Sequence, residues 1–186
     1  MVSDEALMLD FQRGSREAFE ELFSRYREPL YGFFRRRLAN RDRAEDLAQE
    51  TFLAVIRAAI RYEPRAQVKT YLYGIALKVL AAERRKLSGN EPPLDDEHER
   101  AEDGPSEEAL WVRQALEKLD AGEREILMLR EYEQLSYEEI AELLRLPVNT
   151  VRSRLFRARM ALKNFLEPKR KTHNRTRSAA EGEAKS

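Results

Sequence analysis

One stretch constrains this chain of 186 residues more than any other. Residues 91–108 carry nine carboxylates, Glu91, Asp95, Asp96, Glu97, Glu99, Glu102, Asp103, Glu107 and Glu108, against the single cation Arg100. Pro92, Pro93, Gly104 and Pro105 interrupt it and almost no apolar side chain accompanies them. A segment of that kind buries too little surface to offset the entropy of ordering it, so the sequence predicts a flexible acidic linker over 89–106. On both sides apolar residues recur at helical spacing, and the seven glycines and seven prolines cluster at the breaks. The fold class that follows is all-α, with two small helical domains, 1–88 and 107–168, and a disordered basic and polar tail over 169–186.

Formal charge cancels, 34 cations against 34 anions, which argues against indiscriminate DNA binding by the whole molecule; recognition depends on local patches. Residues 145–171 supply one, with nine Lys and Arg against Glu167 alone. The absence of cysteine excludes disulfides, thiolate catalysis and cysteine-based zinc sites. The opening Met-Val-Ser-Asp-Glu lacks the basic start and apolar run of a secretory signal, and no stretch approaches about 18 apolar residues, so the expectation is a cytoplasmic protein without membrane insertion. An enzyme is disfavoured. His98 and His173 lie in polar segments, no Gly-rich loop is present to cradle phosphate, and many carboxylates sit in the linker. No catalytic residue, metal or cofactor is expected.

The second domain carries the clearest motif. Leu110, Val112, Ala115, Leu116 and Leu119 have helical spacing, and Asp120-Ala-Gly-Glu123 supplies a capping pattern for a new helix. Ser136-Tyr-Glu-Glu139 repeats that pattern and opens a short helix bearing Ile140, Ala141 and Leu144, which Pro147 stops near Leu146. Asn149 then caps a helix from Thr150 to about Leu166. A short helix, a tight turn and a second helix form a helix-turn-helix. In the second helix Val151, Leu155, Ala158 and Leu162 make one apolar stripe. Thr150, Ser153, Arg154 and Arg157 share a different face, with no acid between Val148 and Lys163. Guanidinium groups there can bridge acceptors on guanine or hold phosphate, while hydroxyls fix position on the backbone.

The run Leu135-Ser-Tyr-Glu-Glu-Ile-Ala-Glu-Leu-Leu, followed by Pro147-Val-Asn-Thr-Val-Arg-Ser-Arg-Leu-Phe-Arg-Ala-Arg159, closely resembles region 4 of bacterial sigma-70 family factors, particularly the small extracytoplasmic-function group. The resemblance implies that Asn149, Thr150, Arg152, Ser153, Arg154 and Arg157 meet the promoter −35 element, and that this domain also binds the flap of the polymerase β subunit.

In the first domain, Ala18, Phe19, Leu22, Phe23, Tyr26, Leu30, Phe33 and Phe34 follow helical spacing after Ser15, with a bend expected at Pro29. Asp42-Arg-Ala-Glu45 reads as a capping box for a helix that turns Ala44, Leu47, Ala48, Thr51, Phe52, Val55 and Ile56 to the core, leaving Asp46, Gln49, Glu50 and Leu53 on the neighbouring strip. Asp46-Leu-Ala-Gln-Glu-Thr-Phe52 resembles the sigma region 2 signature. By that resemblance Asp46, Gln49, Glu50 and Leu53 dock on the clamp helices of the polymerase β′ subunit.

The next helix, about Val68 to Lys86, interleaves cations with aromatics: Lys69, Tyr71, Tyr73, Lys78, Arg84, Arg85 and Lys86. That mixture suits single-stranded DNA, with phosphates held electrostatically and bases stacked on rings at about 1–3 kcal/mol each. Either tyrosine can instead be a core aromatic with a polar tip. Tyr71-Leu-Tyr-Gly-Ile-Ala76 resembles the family's segment for melting the −10 element, which implies −10 contacts from Arg65, Lys69, Tyr71, Tyr73, Lys78, Arg84 and Arg85. Tyr71, Lys78 and Ala82 stand where the family usually has Trp, Asn and Asp, which implies an altered sequence preference.

The function implied is that of a sigma factor, a dissociable polymerase subunit that selects promoters, with core polymerase and promoter DNA as partners and an anti-sigma factor as a further candidate. Two rivals remain: a stand-alone helix-turn-helix regulator, and a sigma mimic that binds core or an anti-sigma factor without starting transcripts.

Overall fold

The computed structural model describes residues 2–65, 67–89 and 107–166. The expected linker and tail lie almost entirely outside the described residues.

Four helices build the first domain: α1 (Asp4–Gln12), α2 (Arg16–Arg35), α3 (Arg41–Ala58) and α4 (Val68–Gly89), with a 3-10 turn at Ala59–Arg61. Their starts follow local chemistry. The Ser3 hydroxyl accepts from the Ala6 N–H and the Ser15 hydroxyl from the Ala18 N–H, each at 3.2 Å. Between these two helices Gly14 takes φ +105°, a left-handed turn that suits a residue without Cβ. For α4 the N-terminal donor finds a partner far away in sequence: the Val68 N–H donates to the Glu5 carboxylate at 3.2 Å. Met8, Leu30, Phe33, Phe34, Leu47, Leu72 and Leu80 fill the interior.

Two local expectations change, at the cap of α3 and at Ile56. The cap of α3 is Asn40, whose Oδ1 accepts from the Arg43 N–H at 2.8 Å, so the helix begins ahead of Asp42. Pro29 lies within α2, which runs through it as one helix. Ile56 is 43% exposed and does not join the core.

The second domain holds α5 (Glu107–Glu117), α6 (Ala121–Glu131), α7 (Tyr137–Leu144) and α8 (Val148–Leu166). Asp120 caps α6 by accepting from the Gly122 and Glu123 N–H groups. The Ser136–Glu139 capping box forms in both directions: the Glu139 N–H donates to the Ser136 hydroxyl at 3.1 Å, and the Ser136 N–H to the Glu139 carboxylate at 2.6 Å. After α7, Arg145 adopts the left-handed conformation at φ 53°, letting the Leu146 N–H reach the Ala141 carbonyl at 2.9 Å. The following helix starts earlier than expected, at Val148. Asn149 therefore sits in its first turn, and the Pro147 carbonyl accepts from the Thr150 and Val151 N–H groups. Val151, Leu155 and Ala158 do form the buried stripe, packed with Ile126, Leu129, Leu135 and Ile140.

The two domains meet through charge. Arg36 donates to both oxygens of Glu133 at 3.0 Å and lies over the Tyr132 ring, 4.6 Å from its centre. Arg37, almost wholly buried, pairs with Glu125 at 2.8 Å and with Glu133 at 3.2 Å, and its guanidinium stacks on Phe33. Farther along, the Thr70 hydroxyl donates to Glu139 at 2.7 Å, and Lys69 Nζ to the Gln134 carbonyl at 3.3 Å.

Candidate nucleic-acid and protein interfaces

On α3 the geometry separates a fixed edge from an open one. Arg43 is clamped to Glu83 of α4 by two short bonds, 2.6 and 2.7 Å, and from there reaches Asp46 at 3.4 Å and Glu50 at 3.6 Å. This network draws Asp46 and Glu50 towards one edge, while both carboxylates stay substantially in solvent. The hydrogen bond from Arg43 lowers the Glu83 carboxyl pKa more than burial raises it. Gln49 is exposed beside a 420 Å³ hollow lined by Phe23, Tyr31 and Phe52. Leu53 is 50% exposed, and Ile60 79%. Asp46, Gln49, Glu50, Leu53 and Ile56 therefore share one strip of α3 that is polar at one end and apolar at the other, and Ile60 is exposed in the 3-10 turn beyond it. The sequence reading missed Ile56 and Ile60; continuation of the helical spacing beyond Leu53 was the available signal.

Along α4 the expected single-strand site divides. Tyr73 is only 2% exposed, packed 5.6 Å from the Phe33 ring, and burial drives its hydroxyl pKa upward. It is a core residue and offers no ring to a base, which corrects its place in the expected −10 set. Tyr71 is half-buried, edge-on to Tyr62 at 5.2 Å, and keeps part of its surface. Lys78, Arg84 and Arg85 are exposed; Arg65 is exposed and paired with Glu63 at 2.6 Å. Two residues apart on a helix point nearly opposite ways, so Tyr71 and Tyr73 could not both face a ligand.

On α8 the expected face is also redistributed. Arg157 is paired with Glu123 at 2.7 Å, and Arg154 leans towards the start of α6, where a Cβ at Gly122 would stand 3.1 Å from its guanidinium. Thr150 is half-buried and its carbonyl accepts the Ser153 hydroxyl at 3.1 Å. The outermost line consists of Asn149, Arg152, Ser153 and Phe156, with Phe156 66% exposed. These positions fall at i, i+3, i+4 and i+7, one helical face. Phe156 was absent from the expected site; its regular spacing from Asn149 and Arg152 was the only sign. A face that mixes amide, guanidinium, hydroxyl and ring can meet base edges, phosphate and a thymine methyl group.

Among the described residues no group of His, Asp and Glu gathers to hold a metal ion, and no helix is long and apolar enough to cross a membrane.

Comparison with known proteins adds an independent line. Residues 22–89 match the family model for Sigma-70 region 2, and residues 109–162 that for Sigma-70, region 4. The RNA polymerase sigma-H factor of Pseudomonas aeruginosa is 33% identical over 183 residues, covering 89% of this chain and 94% of that protein. The ECF RNA polymerase sigma-E factor of Escherichia coli K12 is 34% identical over 185 residues, covering 90% and 96%. Among solved structures, CnrH in complex with the cytosolic domain of CnrY matches with a TM-score of 0.67 at 26% identity, over 88% of this chain and 96% of that one. The fold is shared as well with the sigma factor RpoE, solved with the anti-sigma factor NepR from Bartonella quintana, at a TM-score of 0.67 and 24% identity over 82% and 98%.

Proposed function

Because this chain belongs to the sigma-70 family, in its extracytoplasmic-function group, and directs RNA polymerase to promoters, we propose a division of that work among its three surfaces. Sigma factors are not enzymes; the chain's contribution is selective binding. Asp46, Gln49, Glu50 and Leu53, extended by Ile56 and Ile60, dock on the β′ clamp helices. The observation supporting this is the exposure of Leu53 and Ile56 at helical spacing from the carboxylates on α3, with Ile60 exposed in the 3-10 turn that follows. Apolar side chains held in water gain by burial against a partner, and the acids at the other end set its orientation.

The face Asn149, Arg152, Ser153 and Phe156 reads the −35 duplex, with Thr150, Arg154 and Arg157 set back from it. Arg157 reaches DNA only by leaving Glu123, which makes it a weaker contributor than Arg152. Lys69, Tyr71, Lys78, Arg84 and Arg85, with Arg65 at the preceding loop, hold the opened −10 strand, and Tyr71 provides the one stacking ring of the pair. The second domain also meets the β flap, and an anti-sigma factor is a further partner, a reading supported by the structural neighbour solved with one.

The experiment is run-off transcription with reconstituted core polymerase on a promoter library. The unmodified chain is expected to start transcripts at a defined promoter class. Arg152→Ala should lose −35 selectivity, and Leu53→Asp should lose core association. A chain that binds core and initiates nowhere is a sigma mimic, and one that shifts promoter DNA equally well without core is a stand-alone regulator; either result overturns the division of labour given above.

A further inference from the structure

At the C-terminal end of α2 the molecule holds a cleft of about 740 Å³, walled by α2 and the turn after it on one side and by α5 and α6 on the other. Five arginines line it, Arg35, Arg36, Arg37, Arg113 and Arg124, with Glu117 as the one lining carboxylate among the described residues. Glu133 and Glu125 answer Arg36 and Arg37. The other three guanidinium groups have no carboxylate partner among the described residues, which leaves an excess of two positive charges over Glu117. Arg35 Nη1 donates to the Leu38 and Ala39 carbonyls at 3.1 and 2.9 Å, and Arg124 Nη2 to the Glu117 and Leu119 carbonyls at 3.2 and 3.3 Å. Carbonyls satisfy donors and leave the charge unmatched. Arg124 Nε is enclosed with no acceptor at all, an arrangement that costs free energy. Beside these cations, on the α5–α6 side, stand the hydrocarbon of Val112, Leu116 and Met128 and the ring of Tyr132, which is 47% exposed.

We propose that this cleft binds a nucleotide, with its phosphate held by Arg35, Arg113 and Arg124 and its base lying against Tyr132 and Met128. Guanidinium forks match phosphate oxygens in pairs, and a concave space with an apolar wall and a few convergent charges is the form that small-molecule sites take. The excess positive charge matches one terminal phosphate, which carries about −1.5 to −2 at neutral pH. A bare anion would leave the Tyr132 ring and the hydrocarbon beside it unused. Because α2 supplies one wall and α5 and α6 the other, the site is complete only while both walls are in place, and its ligand favours that arrangement of the chain. Nucleotide supply would then bear on this subunit at a place separate from all three surfaces assigned above.

Titration calorimetry of the full-length chain with ADP, GDP, adenosine and inorganic pyrophosphate, at an ionic strength of about 0.15 M, tests this. ADP or GDP should bind with a Kd below about 100 µM. Adenosine, which lacks the phosphate, should bind at least about tenfold more weakly. Arg35→Ala with Arg113→Ala should weaken nucleotide binding at least about tenfold. Tyr132→Ala should weaken it by about threefold or more while leaving pyrophosphate unchanged, since only the base uses the ring. Lys78→Ala with Arg152→Ala, on the surfaces proposed for DNA, should leave nucleotide affinity within about twofold.

Absence of binding to both nucleotides at about 1 mM overturns the proposal. So does a loss of nucleotide affinity in the Lys78 and Arg152 pair equal to that in the Arg35 and Arg113 pair, which would put the ligand on the DNA surfaces. Pyrophosphate that binds as tightly as ADP overturns the nucleotide assignment in favour of a simple anion. Should the double arginine variant lose its helical circular dichroism, Arg113→Glu alone, at an exposed position, makes the same test: nucleotide binding should fall at least about tenfold, and unchanged binding rejects the site.

Discussion

Arg43 and Glu83 face each other across α3 and α4 with two near-parallel hydrogen bonds, Nε to Oε1 at 2.6 Å and Nη2 to Oε2 at 2.7 Å. Forty residues separate them, so the pair ties the helix proposed to dock on core polymerase to the helix proposed to hold the opened strand. The fork of a guanidinium matches a carboxylate in this geometry as no lysine can.

Removal of that tie should be measurable by denaturant melts. The Glu83 carboxyl titrates below its ordinary value because of Arg43. A lowered pKa in the folded state means that the contribution is complete above the unfolded glutamate value of 4.5 and is lost as pH falls through the folded one. Glu83→Gln should cost about 1–3 kcal/mol at pH 7, with the gap to the unmodified chain closing towards pH 3. A constant gap from pH 7 to pH 3 would contradict this account.

Ser136 should matter to the second domain by a different route. Its hydroxyl satisfies an orphan N–H of α7 and its own N–H is held by Glu139. Ser136→Ala is expected to cost about 1 kcal/mol. Glu139 supplies a check. Burial pushes its carboxyl pKa up, but bonds from the Ser136 N–H, the Thr70 hydroxyl and the Ser136 hydroxyl, with the nearby charge of Lys69, carry the net shift downward. Carboxyl NMR titration of the alanine variant should show the Glu139 value rising.

Arg145 occupies a conformation for which its side chain is unsuited. Arg145→Gly should raise thermal stability by up to about 1 kcal/mol, because relief of the left-handed strain outweighs the added freedom of the unfolded chain. Calorimetry reads it directly; a lower melting temperature would show that the arginine side chain contributes more than its backbone costs.

Leu53→Asp is expected to leave the melting temperature within about 1 °C, since the residue is half in solvent, while reducing association with core polymerase by at least about tenfold. Pull-down against core, alongside circular dichroism, separates the two effects. Loss of folding would mean the side chain belongs to the interior.

The helices were legible in the sequence wherever one residue's neighbours decide its fate. Ser136 and Glu139 are three apart and cap each other as written; Val151, Leu155 and Ala158 recur at the period of a helix and are buried. What the sequence could not show depended on partners far along the chain. Tyr71 and Tyr73 are equivalent by local pattern, and the arrival of Phe33 from α2 decides which turns inward. Arg37 reads as one more surface cation until Glu125 and Glu133, 88 and 96 residues away, close over it. Asn40 and Asp42 are both competent caps, and the choice falls to the residue where α2 releases the chain. On α8, spacing gave a basic face, but the pairing of Arg157 with Glu123 and the exposure of Phe156 needed the fold of α6 against it.

Leu53, Ile56 and Ile60 leave a ridge of bare hydrocarbon on the first domain. Unmated molecules at high concentration have an incentive to press these apolar side chains together, so the chain made alone is expected to self-associate. Overproduction alone should yield clumped material, whereas co-production with core polymerase, which the proposed docking would place over these side chains, should keep it dispersed.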